Sequence, residues 1–280
     1  MEISAEDVLL FVKELNEFSA YDLTDYSDKS ITRRIEKIVN DNNMGVADII
    51  ERMKKSSDFL EKIVRDITVN TTEMFRDPKV WHTLRYTVLP RYKDADKLSI
   101  WHAGCSSGQE LYSMLILLNE MNLFEKTEIT GTDINIQMLE EARKAVYKYR
   151  FNLDYLDNFN KVIRENPFNL EEYYDVPYEK YMNINKAQDT ISILPFLTRK
   201  PEFHKHDLVK DGNIFGKKFD LIICRNVLIY FNSRLQNRVF DLFHKSLNDD
   251  GCLVIGLHES ILGPVAEKYI KKGLVYLKKP

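Results

Sequence analysis

Apolar positions in the first 70 residues recur at helical spacing. Ser4-Ala-Glu-Asp7 opens a helix that runs through about Phe18. After the turn-rich YDLTDYSD, residues Ile31, Ile35, Ile38 and Val39 mark one face of a second helix, which Asn42-Asn43-Met-Gly45 ends. Val46, Ile49, Ile50 and Met53 predict a third helix; Phe59, Leu60, Ile63, Val64 and Ile67 predict a fourth. The pattern then changes. Pro78 starts a further helix through Val88, and apolar runs follow at 98–103, 127–132, 219–224 and 251–256. Helical patterns at Glu110–Leu123, Ile136–Val146 and Ser233–Leu247 come after the first three runs. Strands alternating with helices predict an α/β fold, a doubly wound and mostly parallel sheet. Leu274-Val-Tyr-Leu277 suits a last strand, antiparallel and at an edge. Tyr147–His206 lacks glycine and is crowded with Tyr, Phe, Asn and charge. Ile191-Ser-Ile-Leu194 and Glu202-Phe-His-Lys-His206 are expected there as strands of an inserted small sheet. The expected organisation is an all-helical domain over 1–70, a sheet domain over 71–280, and an inserted β subdomain at about 147–206.

Composition narrows the function classes. The 280 residues carry 40 Lys plus Arg against 43 Asp plus Glu, a net charge of -3, which is no footprint for general nucleic-acid binding. No run approaches the ~18 apolar residues of a membrane span, and the acidic, amphipathic N-terminus lacks the features of a signal peptide. Cys105, Cys224 and Cys252 are far apart and read as reduced packing thiols of a cytoplasmic protein. The six histidines show no ligand spacing, so no metal is expected.

Four stretches carry chemistry. The loop Gly104-Cys-Ser-Ser-Gly108 leaves the first strand where a doubly wound sheet binds ligands. It is no G-x-G-x-x-G fingerprint, and it is followed by Glu110, whose carboxylate would repel a phosphate. Glu110 suits a cationic group such as an amino acid's α-ammonium, or else merely complements the helix dipole. Asp133 ends the second strand, placed to take both ribose hydroxyls of a nucleoside or to cap the next helix. Loop and acid together favour a nucleoside with an amino-acid tail and no phosphate, S-adenosylmethionine. The third strand runs directly into Arg225-Asn226, costly to bury unless both are paired, and on to Tyr230-Phe231, which plain core packing would also explain. The junction Asn70-Thr-Thr72-Glu-Met-Phe-Arg76 concentrates anchors for a carboxylate.

In this order the four stretches resemble the CheR family of bacterial chemotaxis receptor methyltransferases. Asn70–Arg76 resembles the family's N-T-T/L-T-x-F-F-R element, one residue shorter. Ser106-Ser-Gly-Gln-Glu110-Leu-Tyr-Ser113 resembles S-T-G-E-E-P-Y-S, Thr132-Asp133-Ile-Asn135 resembles S/T-D-I-D, and Cys224–Phe231 matches C-R-N-V-x-I-Y-F without a break. The resemblance covers nearly the whole chain and implies a class I, Rossmann-like methyltransferase. It implies that Glu110 holds the methionine ammonium and Asp133 the ribose, beside Gly104. Asn70, Thr72 and Arg76 would close over the methionine end and the acceptor side, and Asp207 and Leu208 would flank the adenine. Arg225 and Asn226 would complete the wall, and Tyr230 would stand near the transferred methyl, with Arg76 and Tyr230 as catalytic residues. Four positions depart from the family pattern: Gln109 replaces Glu, Leu111 replaces Pro, Asp207 replaces Asn, and Gly256-Leu-His-Glu259 replaces G-H-S-E.

The implied reaction converts a glutamate side chain to its methyl ester and leaves S-adenosylhomocysteine. The acceptor would be the cytoplasmic helical region of a chemoreceptor. Lys29, Arg33 and Lys37, with Arg34 beside them, form a basic stripe that could face its acidic surface, or be a merely solvated face. The chain is expected to act as a monomer. Some family members grip a receptor tail peptide on the inserted sheet through a glycine-containing turn. With no glycine between Gly131 and Gly212, this chain is expected to work without that tether. Two rivals stay open: a methyltransferase of another substrate, and a non-catalytic S-adenosylmethionine-binding regulator.

Overall fold

A computed structural model describes residues 3–19, 21–68 and 72–279. The chain divides into two compact units, Met1–Asn70 with Val227–Val239, and Thr71–Asn226 with Phe240–Pro280.

The first unit holds α1 (Ala5–Phe18), α2 (Asp28–Asn42), α3 (Val46–Lys55) and α4 (Ser57–Ile67). Ser4 and Asp7 form a reciprocal capping box at the start of α1. Asn43, at φ 52°, ends α2 in the left-handed conformation that asparagine tolerates. The predicted apolar faces meet in one core around Phe11, Leu15, Ile35, Ile49 and Ile63. Residues 227–239 join this unit. The Ser27 N–H donates to the Tyr230 carbonyl at 2.8 Å, and the Tyr26 and Phe231 rings meet edge to face at 5.1 Å. On α2, Lys29 and Arg33 are exposed and Arg34 is half-buried, while Lys37 pairs with Asp41 at 2.5 Å.

The second unit begins with α5 (Pro78–Thr83), which a π-helical turn continues to Val88. Its strands and helices then follow in order: β1 (Leu98–Ala103), α6 (Gln109–Glu120), β2 (Thr127–Asp133), α7 (Ile136–Lys144), β3 (Val146–Lys148), α8 (Leu153–Phe159), β4 (Met182–Asn185), β5 (Thr190–Ile193), α9 (Pro195–Thr198), β6 (Glu202–Lys205), β7 (Phe219–Cys224), α10 (Ser233–Ser246), β8 (Leu247–Ile255), β9 (Tyr269–Lys272) and β10 (Val275–Lys278). Helix α10 spans the division between the units. Seven strands form one sheet in the order β6-β2-β1-β7-β8-β10-β9, parallel from β6 to β8 and antiparallel beyond. Leu98 and Ile100 of β1 belong to the core that includes Leu111 and Leu115 of α6. Their neighbour Trp101, on the opposite face of the strand, packs against Phe215, Phe219 and Phe243 at 5.4, 5.6 and 5.5 Å. Both faces of the sheet are therefore buried, as a parallel sheet requires.

Two strand expectations are corrected. Glu202–Lys205 pairs in parallel with β2 at the edge of the main sheet, not within a small inserted sheet. The Val275–Lys278 strand is antiparallel as expected but lies inside the sheet, because β9 covers it and becomes the edge. The small sheet that does form has the order β3-β5-β4, and its β4–β5 hairpin turns through Asn185–Asp189. Asn185 Oδ1 accepts the Gln188 N–H there at 3.0 Å, and Asp189 takes φ 57°.

Candidate active site

The chain runs from β1 to β2 and β6 on one side, then returns to β7 on the other side of β1. This reversal is the switch point where doubly wound sheets bind ligands. Asp133 is the last residue of β2, and the glycine loop, Asp207 and Arg225-Asn226 follow the carboxyl ends of β1, β6 and β7 there.

Three residues of the glycine loop have positive φ: Gly104 at 75°, Ser106 at 50° and Gly108 at 88°. Gly108 needs its glycine twice over. Its φ is left-handed, and a Cβ would lie 2.9 Å from the Ala142 methyl of α7. The Gly104 and Cys105 N–H groups both donate to the Thr132 carbonyl at 2.8 Å, binding loop to strand. Asp133 completes the clamp. Its Oδ2 accepts the Ser106 N–H at 2.8 Å and its Oδ1 the Asn135 N–H at 2.9 Å. Helix α7 is capped not by Asp133 but by Asn135, whose Oδ1 accepts from Gln137 at 2.9 Å, so the capping alternative for Asp133 falls. Burial raises the Asp133 pKa against the opposing backbone bonds. The Ile134 N–H is a third backbone donor to this carboxylate, so one of its four lone pairs stays free for a further donor.

Glu110 opens α6. Its Oε2 accepts from Arg225 Nη1 at 2.7 Å, and its Oε1 lies 3.3 Å from His102 Nδ1. Burial works to raise its pKa, but the Arg225 guanidinium and then His102 outweigh that, and the net shift is downward. The Arg225 side chain is 1% exposed. Its Nη2 donates to Asp77 Oδ2 at 2.7 Å and to the Arg76 carbonyl at 3.0 Å. The cost of burying an arginine behind a strand is thus met by two carboxylates. One guanidinium between two carboxylates leaves these three side chains one net negative charge.

The segment before α5 is pinned at several points. The Phe75 N–H donates to Ser113 Oγ at 2.9 Å, and Tyr155 OH donates to the Thr72 carbonyl at 2.9 Å. Trp81 Nε1 donates to the Arg76 carbonyl at 2.9 Å. Phe75 and Asp77 have φ of 52° and 56°, conformations that cost non-glycine residues energy and persist where the surroundings hold them. Asn70 lies outside the described residues. Asp207 turns onto its own loop, its Oδ1 accepting the Val209 N–H at 2.8 Å, and burial raises its pKa. Leu208 beside it is buried. Tyr230 is half-buried and belongs with the helical unit.

The departures from the family pattern have local explanations. Gln109 Oε1 accepts from Ser107 Oγ at 2.8 Å inside the loop. Leu111 is buried where a Cβ on Gly131 would come within 2.8 Å of it, so the bare glycine admits the larger side chain. Glu259, which sequence reasoning noted only as part of an altered stretch, has a defined structural role. Its Oε2 accepts the N–H groups of Gly256 at 2.6 Å and Asn226 at 2.9 Å, holding Asn226 at φ 60°. The three cysteines are buried and unpaired, and burial raises the pKa of each thiol.

The family model described as CheR methyltransferase, SAM binding domain, matches residues 70–274. The chain belongs to the CheR methyltransferase family. It is 33% identical to a putative methyltransferase, Cher3, of Pseudomonas putida, over 91% of this chain and 89% of that protein. It is 32% identical to a chemotaxis protein methyltransferase of Listeria innocua, over 92% of each, and 28% identical to chemotaxis protein methyltransferase 1 of Pseudomonas aeruginosa, over 82% and 81%. Among solved structures it is similar to a TehB-like SAM-dependent methyltransferase of Corynebacterium glutamicum, with a TM-score of 0.38 and 16% identity over 68% of this chain and 85% of that one. This CheR-family chain is a methyltransferase built on a doubly wound, mostly parallel sheet, and S-adenosylmethionine is its cofactor. The donor set fits that molecule: two carboxylates on one guanidinium suit its ammonium, and a strand-tip carboxylate with a lone pair to spare suits its ribose.

Proposed function

We propose that this CheR-family enzyme methylates glutamate side chains of chemoreceptors in the cytoplasm. The observation that carries the reading is the Glu110–Arg225–Asp77 cluster beside the glycine loop, because it selects a nucleoside with a cationic tail over a phosphate. Glu110 would hold the α-ammonium, Asp133 the ribose hydroxyls, and Asp207 with Leu208 the adenine. Gly104, Arg225 and Asn226 would complete the pocket, and Asn70, Thr72 and Arg76 would lie over the methionine end. We keep 1–70 and 71–280 as the proposed domains.

Bound S-adenosylmethionine supplies an electrophilic methyl and a thioether leaving group. A glutamate acceptor is already ionised at neutral pH, so the chain needs no strong general base. Its task is to align the acceptor oxygen with the methyl–sulfur axis and to strip water from the acceptor. Arg76 and Tyr230 are proposed for that acceptor side. Support for a receptor substrate comes from relatives named chemotaxis protein methyltransferase and from the exposed Lys29 and Arg33 on α2, with Arg34 and Lys37 on the same helix. Recognition without a tail tether is supported by the glycine-free hairpin turn Asn185–Asp189. A monomer suffices for this chemistry.

The test is transfer of radiolabelled methyl from S-adenosylmethionine to chemoreceptor-containing membranes of the host. Label released by mild base is expected, with Arg76→Ala and Tyr230→Phe slowing transfer under saturating cofactor. Cofactor binding with no transfer would favour the regulator, and base-stable label a different acceptor. Micromolar binding of the host's receptor tail peptides, abolished by changes in β4, would overturn tether independence.

A further inference from the structure

His102 is the one titratable side chain on β1, a strand whose other members are apolar or small. Its side chain is 1% exposed, and its register neighbours are Gly131 on β2 and Ile223 on β7. Its only polar contact among the described residues is Nδ1 with Glu110 Oε1 at 3.3 Å; Nε2 is buried without a hydrogen-bond partner. A carboxylate only accepts, so Nδ1 carries the proton and donates. An unpartnered buried ring nitrogen has a free-energy cost that an apolar residue would avoid. The contact to Glu110 is therefore what the imidazole supplies.

A second donor matters because of how a glutamate side chain moves. The terminal torsion of glutamate is broad and roughly two-fold, so one hydrogen bond leaves the carboxylate plane free to swing. Arg225 holds Oε2; His102, on a different strand, holds Oε1. Two donors on two oxygens fix the plane, and the remaining lone pairs then point in set directions.

We infer that His102 is a positioning residue, whose Nδ1–H orients the Glu110 carboxylate toward the α-ammonium of the cofactor's amino-acid end. The inference rests on the proposed role of Glu110 and adds a residue that does not itself touch the cofactor.

Titration calorimetry on the full chain tests it with two ligands. S-Adenosylhomocysteine carries the α-ammonium, and 5′-methylthioadenosine is the same nucleoside thioether without the amino-acid end. Asparagine places an amide N–H near the site of Nδ1, whereas glutamine places its amide near Nε2. His102→Gln is expected to weaken S-adenosylhomocysteine about tenfold, the scale of one net hydrogen bond to a charged group, and to leave 5′-methylthioadenosine unchanged. His102→Asn is expected to bind both as the wild type does. Equal losses on both ligands, or no loss on either, overturn the inference. Glu110→Gln separates the two ideas. If it loses the preference for the ammonium-bearing ligand and His102→Gln keeps it, the inference falls while the Glu110 reading stands. If Glu110→Gln also keeps it, both fall. Nitrogen-15 spectra of the wild-type imidazole give a check independent of any variant's folding: the proton is expected on Nδ1, and an Nε2–H neutral tautomer overturns the inference.

Discussion

Arg225 and Glu110 lie 115 positions apart in sequence and meet at 2.7 Å, guanidinium to carboxylate, with the arginine almost wholly buried. The same guanidinium reaches Asp77, so one side chain ties the segment before α5 and the start of α6 to the end of β7. Removing one partner of such a pair leaves buried charge without compensation. Arg225→Met is expected to destabilise the chain by about 3 kcal/mol. Arg225→Lys is expected to recover little of this, since a point charge cannot fork to Glu110, Asp77 and the Arg76 carbonyl together. Urea unfolding followed by tryptophan fluorescence measures both, and a loss below about 1 kcal/mol for Arg225→Met would show the cluster to be energetically idle.

The Glu110 shift sets a pH dependence. A carboxyl whose pKa is lower folded than unfolded contributes stability above the unfolded value, and this is lost as pH falls through the folded one. Glu110 is held low by Arg225 and His102 against its burial. Glu110→Gln is therefore expected to be less stable than the wild type at pH 7, by about 2 kcal/mol for a lost charge-assisted hydrogen bond. The gap should narrow as pH drops below about 4.3, the unfolded glutamate pKa. Paired unfolding curves at pH 7 and in acid check this; a gap of constant size means that Glu110 titrates alike in both states.

Asp133 holds the loop as well as its proposed ligand. Asn is no neutral replacement here, because one of its two positions would set an amide donor against the N–H of Ser106 or Asn135. Asp133→Asn is expected to lower stability by about 1–3 kcal/mol and to weaken S-adenosylmethionine by tenfold or more. Melting temperature and calorimetric affinity separate these effects. Unchanged affinity in a folded variant would end the ribose assignment.

Glu259 closes the loops after β7 and β8 with a single oxygen. Glu259→Ala frees two backbone N–H groups and relaxes the left-handed Asn226, for an expected cost of about 1–3 kcal/mol. Glu259→Gln keeps an acceptor and should cost less. Gly256→Ala should mimic the larger loss, because its Cβ would lie 2.7 Å from Glu259 Oε2. Thermal melts that rank glutamine below alanine in stability would contradict this role.

Local rules were enough for much of the chain. Hydrophobic spacing alone located the four N-terminal helices and the parallel strands β1, β2 and β7, since an amphipathic helix or a buried strand writes its period into consecutive residues. The glycine loop was legible for the same reason: Gly104 and Gly108 mark backbone conformations that other residues enter at a cost. Partnership was not. Glu202–Lys205 is a short run that reads equally as a strand of either sheet, and only pairing with β2 decides between them. Residues 227–239 follow β7 in sequence yet pack with the helical unit, through contacts more than 200 positions away at Asp25 and Ser27. Sequence showed that a buried Arg225 needed a partner and that Glu110 suited a cationic one. That they satisfy each other, with Asp77 sharing the charge and His102 bracing the carboxylate, was settled by the parallel order of β2, β1 and β7, which sets β1 beside β7 and brings groups distant in the chain within hydrogen-bond reach.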